Sequence, residues 1–164
     1  MFLVRATKKL RDRVGPVTLQ PGEVSTTRLG DWYATAWFWK PQIALFVSET
    51  TLFPVLMPLA PSATLLSRFP DHLAQALVAQ DVPSAFIAEE LSEMHDARLA
   101  PTASRSVVGI MNEFTFMAET TRGEPTAFDT ANLTALSGWL ARTPCSPLFK
   151  RYTSPDRELR ALAQ

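Results

Sequence analysis

Arg105, Gly109, Asn112 and Phe116 recur at intervals of three or four residues within TASRSVVGIMNEFTFMAET, residues 102–120. At about 100° per residue these four fall within about 60° of one another on a helix. The opposite side is a greasy stripe of Val107, Ile110, Met111, Phe114, Met117 and Ala118. A solvent-facing stripe normally carries Glu, Lys, Gln or Ala, because mid-helix Gly costs about 1 kcal/mol and Asn about half that relative to Ala. Arg105 and Asn112 offer hydrogen-bond donors to an anion or a base, with Ser106 beside them, and Gly109 lets a backbone or ligand approach closely. The competing explanation is packing, in which another element lies over Gly109 while Arg105 and Asn112 bond to its carbonyls.

A second set is Arg5, Thr7, Lys8 and Lys9 in RATKKL. Lys8 and Lys9 at a helix start face the positive end of the helix dipole, which is unfavourable unless an anion or carboxylate sits nearby. Arg5, Thr7, Lys8 and the first free N–H groups have the makings of an anion cradle. The plain alternative is a solvated basic turn. Charge along the chain is uneven although the total is zero: residues 1–40 carry +4, residues 41–141 carry −7 and residues 142–164 carry +3. If the two ends meet in space, they build one basic face that the neutral total hides.

Other chemistries lack their residues. The Walker loop, G-x-G-x-x-G, H-E-x-x-H, G-x-S-x-G and Cys/His zinc spacings do not occur. A lone Cys145 excludes an internal disulfide and a multi-cysteine metal cage. Flanked by prolines, and with neither His72 nor His95 near it in sequence, Cys145 is read as part of a turn. His95 and Asp96 beside Glu90 and Glu93 are read as a solvated helix end, because the other side of that helix carries Ile87, Leu91 and Met94. Trp32, Tyr33, Trp37 and Trp39 are residue types that stack on bases, but they are assigned to the core, where aromatic side chains dominate burial. No cofactor and no metal are expected.

These residues need elements to position them. FLVRA is a short extended run, and TKKLRDRV a helical turn or two with Thr7 as N-cap. GPVTLQPGEVSTTRLG is loop. DWYATAWFWK alternates Trp32, Ala34, Ala36 and Phe38 against Tyr33, Thr35, Trp37 and Trp39, as in a strand covered on both sides. A KP turn leads into QIALFVSET, so the two runs pair as an antiparallel hairpin. TLFPVLMPL belongs at a sheet edge or is no strand, because Pro54 and Pro58 remove ladder donors. Helices follow: one from a Ser62 cap, interrupted at Pro70; one around Ile87, Leu91 and Met94; residues 104–118; one around Leu133, Leu136 and Leu140; and one capped by Ser154 with Pro155 first. The expected class is α+β: a small antiparallel sheet with a central hairpin, covered by about five helices mostly from the second half. Residues 1–164 are expected to form a single globular domain. From the charged start and the short, proline-broken LFPVLMPLAP no signal peptide and no membrane span are expected, and with them no membrane partner and a cytoplasmic location.

RATKKL, YATAWFWKPQIALFVSETTLFPVL and TASRSVVGIMNEF, in that order, resemble a family of small bacterial proteins known only as a domain of unknown function. Its pattern has an R-x-T-K-K-L start, an aromatic hairpin and an R-S-x-x-G-x-M-N helix. The resemblance covers most of residues 1–117 and implies no activity, substrate or catalytic residue. It does mark Arg5, Thr7, Lys8, Lys9, Arg105, Ser106, Gly109, Met111 and Asn112 as positions that match. The expected function is a non-enzymatic binding module for an anionic partner, nucleic acid or an acidic protein, using the basic terminal segments and the Arg105/Asn112 helix face. One alternative is an enzyme with an unfamiliar phosphate-handling site, such as a nuclease, in which Arg5, Lys8 and Arg105 stabilise phosphate charge. Another is a homo-oligomeric interaction subunit, a homodimer through the apolar hairpin.

Overall fold

In the computed structural model, the structure describes residues 1–121, 130–144 and 153–164. FLVRA forms β1 (Phe2–Ala6), followed by α1 (Lys8–Val14) and a long loop over residues 15–31. The aromatic run forms β2 (Trp32–Trp37), which turns at residues 38–42 into β3 (Ile43–Ser48), and β4 (Pro54–Pro58) follows. Then come α2 (Leu65–Ala79), α3 (Ser84–Ser92), β5 (Ala97–Pro101), α4 (Arg105–Thr121), α5 (Thr130–Ala141) and α6 (Pro155–Ala163). The class is α+β.

The strands make one five-stranded sheet in the order β4-β3-β2-β1-β5. The expected hairpin lies at its heart, with Tyr33 opposite Val47 and Thr35 opposite Leu45. The sheet as a whole is mixed, which corrects the antiparallel expectation: β1 runs parallel to both β2 and β5. Parallel neighbours need a crossover and so leave no turn signature of the kind that marks a hairpin. β4 is an edge, as its prolines require, and α5 lies along it with the Ser137 hydroxyl donating to the Pro54 carbonyl. The opposite edge is closed by Thr18, which bonds the N–H and C=O of Leu99. Each edge thus has another segment of the chain bonded to it.

One face of the sheet buries Phe2, Val4, Trp32, Phe46, Val55 and Met57 under α1, α2, α3 and α6. Phe69 of α2 is the centre of this layer: its ring lies 4.1 Å from that of Phe46, 5.0 Å from Trp32 and 5.9 Å from Phe2. That packing carries α2 through Pro70 without the expected interruption, although proline removes one helical hydrogen bond there. The other face buries Tyr33, Trp37, Ile43, Leu45, Val47 and Leu56 under α4 and α5. Trp32, Tyr33, Trp37 and Trp39 are all buried, as core residues should be. Among the described residues no helix is long and apolar enough to cross a membrane.

Candidate functional site

Alternation puts Leu3, Arg5 and Thr7 on the α4 face of the sheet, where Arg5 pairs in register with Tyr33. The Arg5 guanidinium donates through Nε to Asp31 Oδ2 at 2.7 Å, and the other carboxylate oxygen of Asp31 accepts from the Ser25 hydroxyl at 2.7 Å. Gly30 makes this possible. Its φ is +73°, a conformation that L side chains rarely adopt, and a Cβ on it would stand 2.7 Å from Thr50 Oγ1 and 2.9 Å from Glu49 Oε1. Further along, the hydroxyls of Thr7 and Thr35 share a hydrogen bond of 3.0 Å. Thr7 therefore points across the sheet and makes no side-chain cap on α1, while its carbonyl accepts the first helical bonds, from Leu10 and Arg11.

α4 starts beside this polar seam. The Tyr33 hydroxyl accepts the Ser104 N–H at 2.9 Å, and the Ser104 hydroxyl accepts the Val107 N–H at 3.3 Å, which caps the helix start. At its other end the indole N–H of Trp37 donates to Thr115 at 2.8 Å, and Thr115 donates back to the Met111 carbonyl. α4 is thus pinned along β2, and it runs unbroken through Gly109. Val107, Ile110, Met111, Phe114 and Ala118 are buried beneath it. Met111, one of the pattern-matching residues, is accordingly a core residue.

The outward stripe of α4 is left open by the described residues. Arg105, Ser106 and Asn112 are exposed, with no side-chain partner among the described residues. Apart from its chain neighbours and the helix's own backbone, no atom of the described residues lies within 4 Å of where a Gly109 Cβ would be. Phe116 is 68% exposed. The packing explanation of this stripe therefore finds no packed element among the described residues.

The N-terminal set behaves differently. Arg5 is engaged by Asp31, and Lys8 pairs with Asp12 at 3.0 Å in an exposed i,i+4 contact of little energetic weight. Lys9 lies 5.9 Å from the centroid of the Phe38 ring. Arg5 and the start of α4 flank Tyr33, whereas α1 turns to the opposite layer, where Leu10 is buried. The described basic residues of the two ends fall into two groups, and Lys150 and Arg151 lie outside the described residues. Arg28 donates to the Leu162 carbonyl before β2 begins, and Arg160 of α6 donates to Gln80. Lys9 and Arg13 gather at Phe38, where β2 has ended. Six residues of strand, about 20 Å, lie between the two groups.

The acidic cluster on α3 needs a correction. Glu90 is not solvated: it is 1% exposed, and its two carboxylate oxygens accept the Arg28 and Leu29 N–H groups at 3.0 Å each. Burial pushes its carboxyl above the ordinary range, against the opposing pull of those two N–H donors and the Arg28 charge. Glu93, exposed, accepts from Thr26 at 2.7 Å. Both glutamates tether the loop before β2. Nothing in the spacing of Glu89 and Glu90 distinguishes the buried one, because the donors come from a loop sixty residues earlier. Cys145 lies outside the described residues.

A shallow cavity of about 250 Å³ is lined by Arg142, Ser154, Asp156 and Arg157 at the start of α6. The Asp156 carboxylate already accepts the Ser154 hydroxyl and the Arg157 N–H there, so the helix terminus is satisfied from within.

No curated protein and no solved structure matches the chain. The sequence profile of a family described as Domain of unknown function (DUF6933) matches residues 3–158, reaching beyond the motifs around α1, β2 and α4 into α6. The chain belongs to that family.

Proposed function

We propose that this protein is a non-enzymatic binding module for an anionic partner, gripped along the outward stripe of α4 and at the hairpin end of β2. The observation that carries this reading is the open stripe: Arg105 and Asn112 have no partner among the described residues, and Gly109 faces free space. α4 points this stripe towards the hairpin end, where Thr115 meets Trp37 and where Lys9 and Arg13 surround Phe38. The basic residues of α6 lie at the other end of β2 and take no part. A phosphate-handling enzyme is less well supported, because Arg5 is engaged by Asp31 and Lys8 by Asp12.

Retention on immobilised heparin at low salt, lost steeply as salt rises, is the expected behaviour, since released counterions set that slope. Arg105→Glu and Asn112→Ala should weaken retention without lowering the melting temperature. Absence of retention at low salt, or full retention by Arg105→Glu, overturns the reading.

A further inference from the structure

The turn after β2 is built so that one aromatic ring faces outward. Trp37 and Trp39 are buried and stacked on each other, with centroids 4.6 Å apart. The residue between them, Phe38, is therefore turned away from the core and is 50% exposed. α1 brings two cations to it, one helical turn apart: Lys9 Nζ at 5.9 Å from the ring centroid and the Arg13 guanidinium carbon at 4.9 Å. Residues 8–14 and 38–42 hold five cations, Lys8, Lys9, Arg11, Arg13 and Lys40, against the single carboxylate of Asp12. Asp12 is paired with Lys8, and Arg13 donates to the neutral Gln42. Neither cation on the ring has a carboxylate partner among the described residues. A second exposed ring, Phe116, follows Thr115, which is bonded to Trp37 at this same end of the sheet.

We infer that the anionic partner is a single-stranded nucleic acid, with a base stacked on the Phe38 platform and the flanking phosphates on Lys9, Arg13 and Lys40. This rests on the binding reading above and narrows it. An acidic protein surface needs the cations but has no use for a rigidly presented ring. A single strand offers both an open π-face and a phosphate at every nucleotide, whereas a duplex hides its base faces in the stack. The chemistry of the patch, an aromatic ring among unneutralised cations, fits the single strand.

Anisotropy of labelled oligothymidylate at low salt tests this, with a duplex, heparin and polyglutamate as the comparison ligands. The single strand should bind tighter than the duplex. Phe38→Ala should weaken single-strand binding about tenfold and heparin binding much less, while Phe38→Trp should restore it. Arg13→Glu should weaken both ligands. Because the ring is exposed, Phe38→Ala should melt like the parent, and a melt verifies that. If Phe38→Ala binds the single strand as well as the parent does, or if duplex or polyglutamate binds as tightly, the nucleic-acid inference falls and the anionic-partner reading survives. If no polyanion binds at all, both fall.

Discussion

Glu90 on α3 and Asn112 on α4 are both polar residues on helices that bury an apolar side. Glu90 is 1% exposed and clamps two backbone N–H groups of the loop before β2. Asn112 is exposed and its side chain makes no hydrogen bond among the described residues. The difference comes from the neighbouring chain. Residues 25–31 fold against α3, because Ser25, Thr26, Arg28, Leu29 and Asp31 all find bonds within that loop, to α3 or to β1. Nothing among the described residues folds over the outer side of α4. A polar residue at an odd helical position is thus a tether where a loop supplies donors, and a surface where none arrives.

If Glu90 is a tether, removing it should cost more stability than removing Arg5, Arg105 or Asn112. Glu90→Ala leaves the Leu29 N–H buried and the Arg28 N–H half-buried without an acceptor, and should cost about 2–4 kcal/mol. Chemical denaturation measures it; a loss near zero would mean that the loop is held by other bonds. Glu90→Gln keeps one acceptor but turns an NH₂ group towards the second donor, and should cost less than the alanine change. The parent and the glutamine variant should also differ in pH dependence. Because the Glu90 carboxyl is raised in the folded state, the folded protein holds this proton more tightly than the unfolded chain. This group therefore adds stability as pH falls through its folded value towards the ordinary carboxyl range, and withdraws it as pH rises. Denaturation at a series of pH values should show the parent gaining on Glu90→Gln as pH falls, and an equal slope for both would refute the assignment.

The next effect in size concerns Arg5, which lies between the two cases. Its guanidinium is partly exposed, yet it is committed to Asp31, so Arg5→Ala should cost about 1–2 kcal/mol, reduced by solvent screening from what a fully buried pair would show. Heparin retention should change little. If Arg5→Ala instead keeps its stability and loses binding, Arg5 belongs with the α4 stripe and not with the tethers.

What the sequence made legible was local. The hairpin follows from two alternating runs joined by a KP turn, the edge position of β4 from Pro54 and Pro58, and the span of α4 from its apolar period. What it hid depends on residues far apart in the chain. β5 is five residues with no β-branched side chain and exists by pairing in parallel with β1, nearly a hundred residues earlier. Pro70 reads as a break until Phe69 is seen stacked on the sheet. Phe38 continues the alternation of β2, but the strand stops at Trp37 and the stack of Trp37 on Trp39 sends it outward. On the site, the sequence picked out the α4 stripe by its poor helix formers. It could not separate Arg5, which has a carboxylate waiting, from Arg105, which has none among the described residues.

The smallest expected effects are on α4, and there the sign matters more than the size. A methyl group at Gly109 meets nothing within 4 Å among the described residues, so Gly109→Ala should gain up to about 1 kcal/mol from reduced backbone freedom in the unfolded chain. Arg105→Ala and Asn112→Ala break no described side-chain bond, so their melts should overlay that of the parent. An element packed over the stripe would reverse all three signs, since the methyl would overpack it and the two truncations would strand its carbonyls. Binding adds a second axis. If Gly109 is small so that a partner's backbone can come close, Gly109→Ala should be the variant that is more stable than the parent and yet binds heparin or oligothymidylate less well. Gain of stability with unaltered binding would leave Gly109 without a role in contact and confine the surface to the hairpin end.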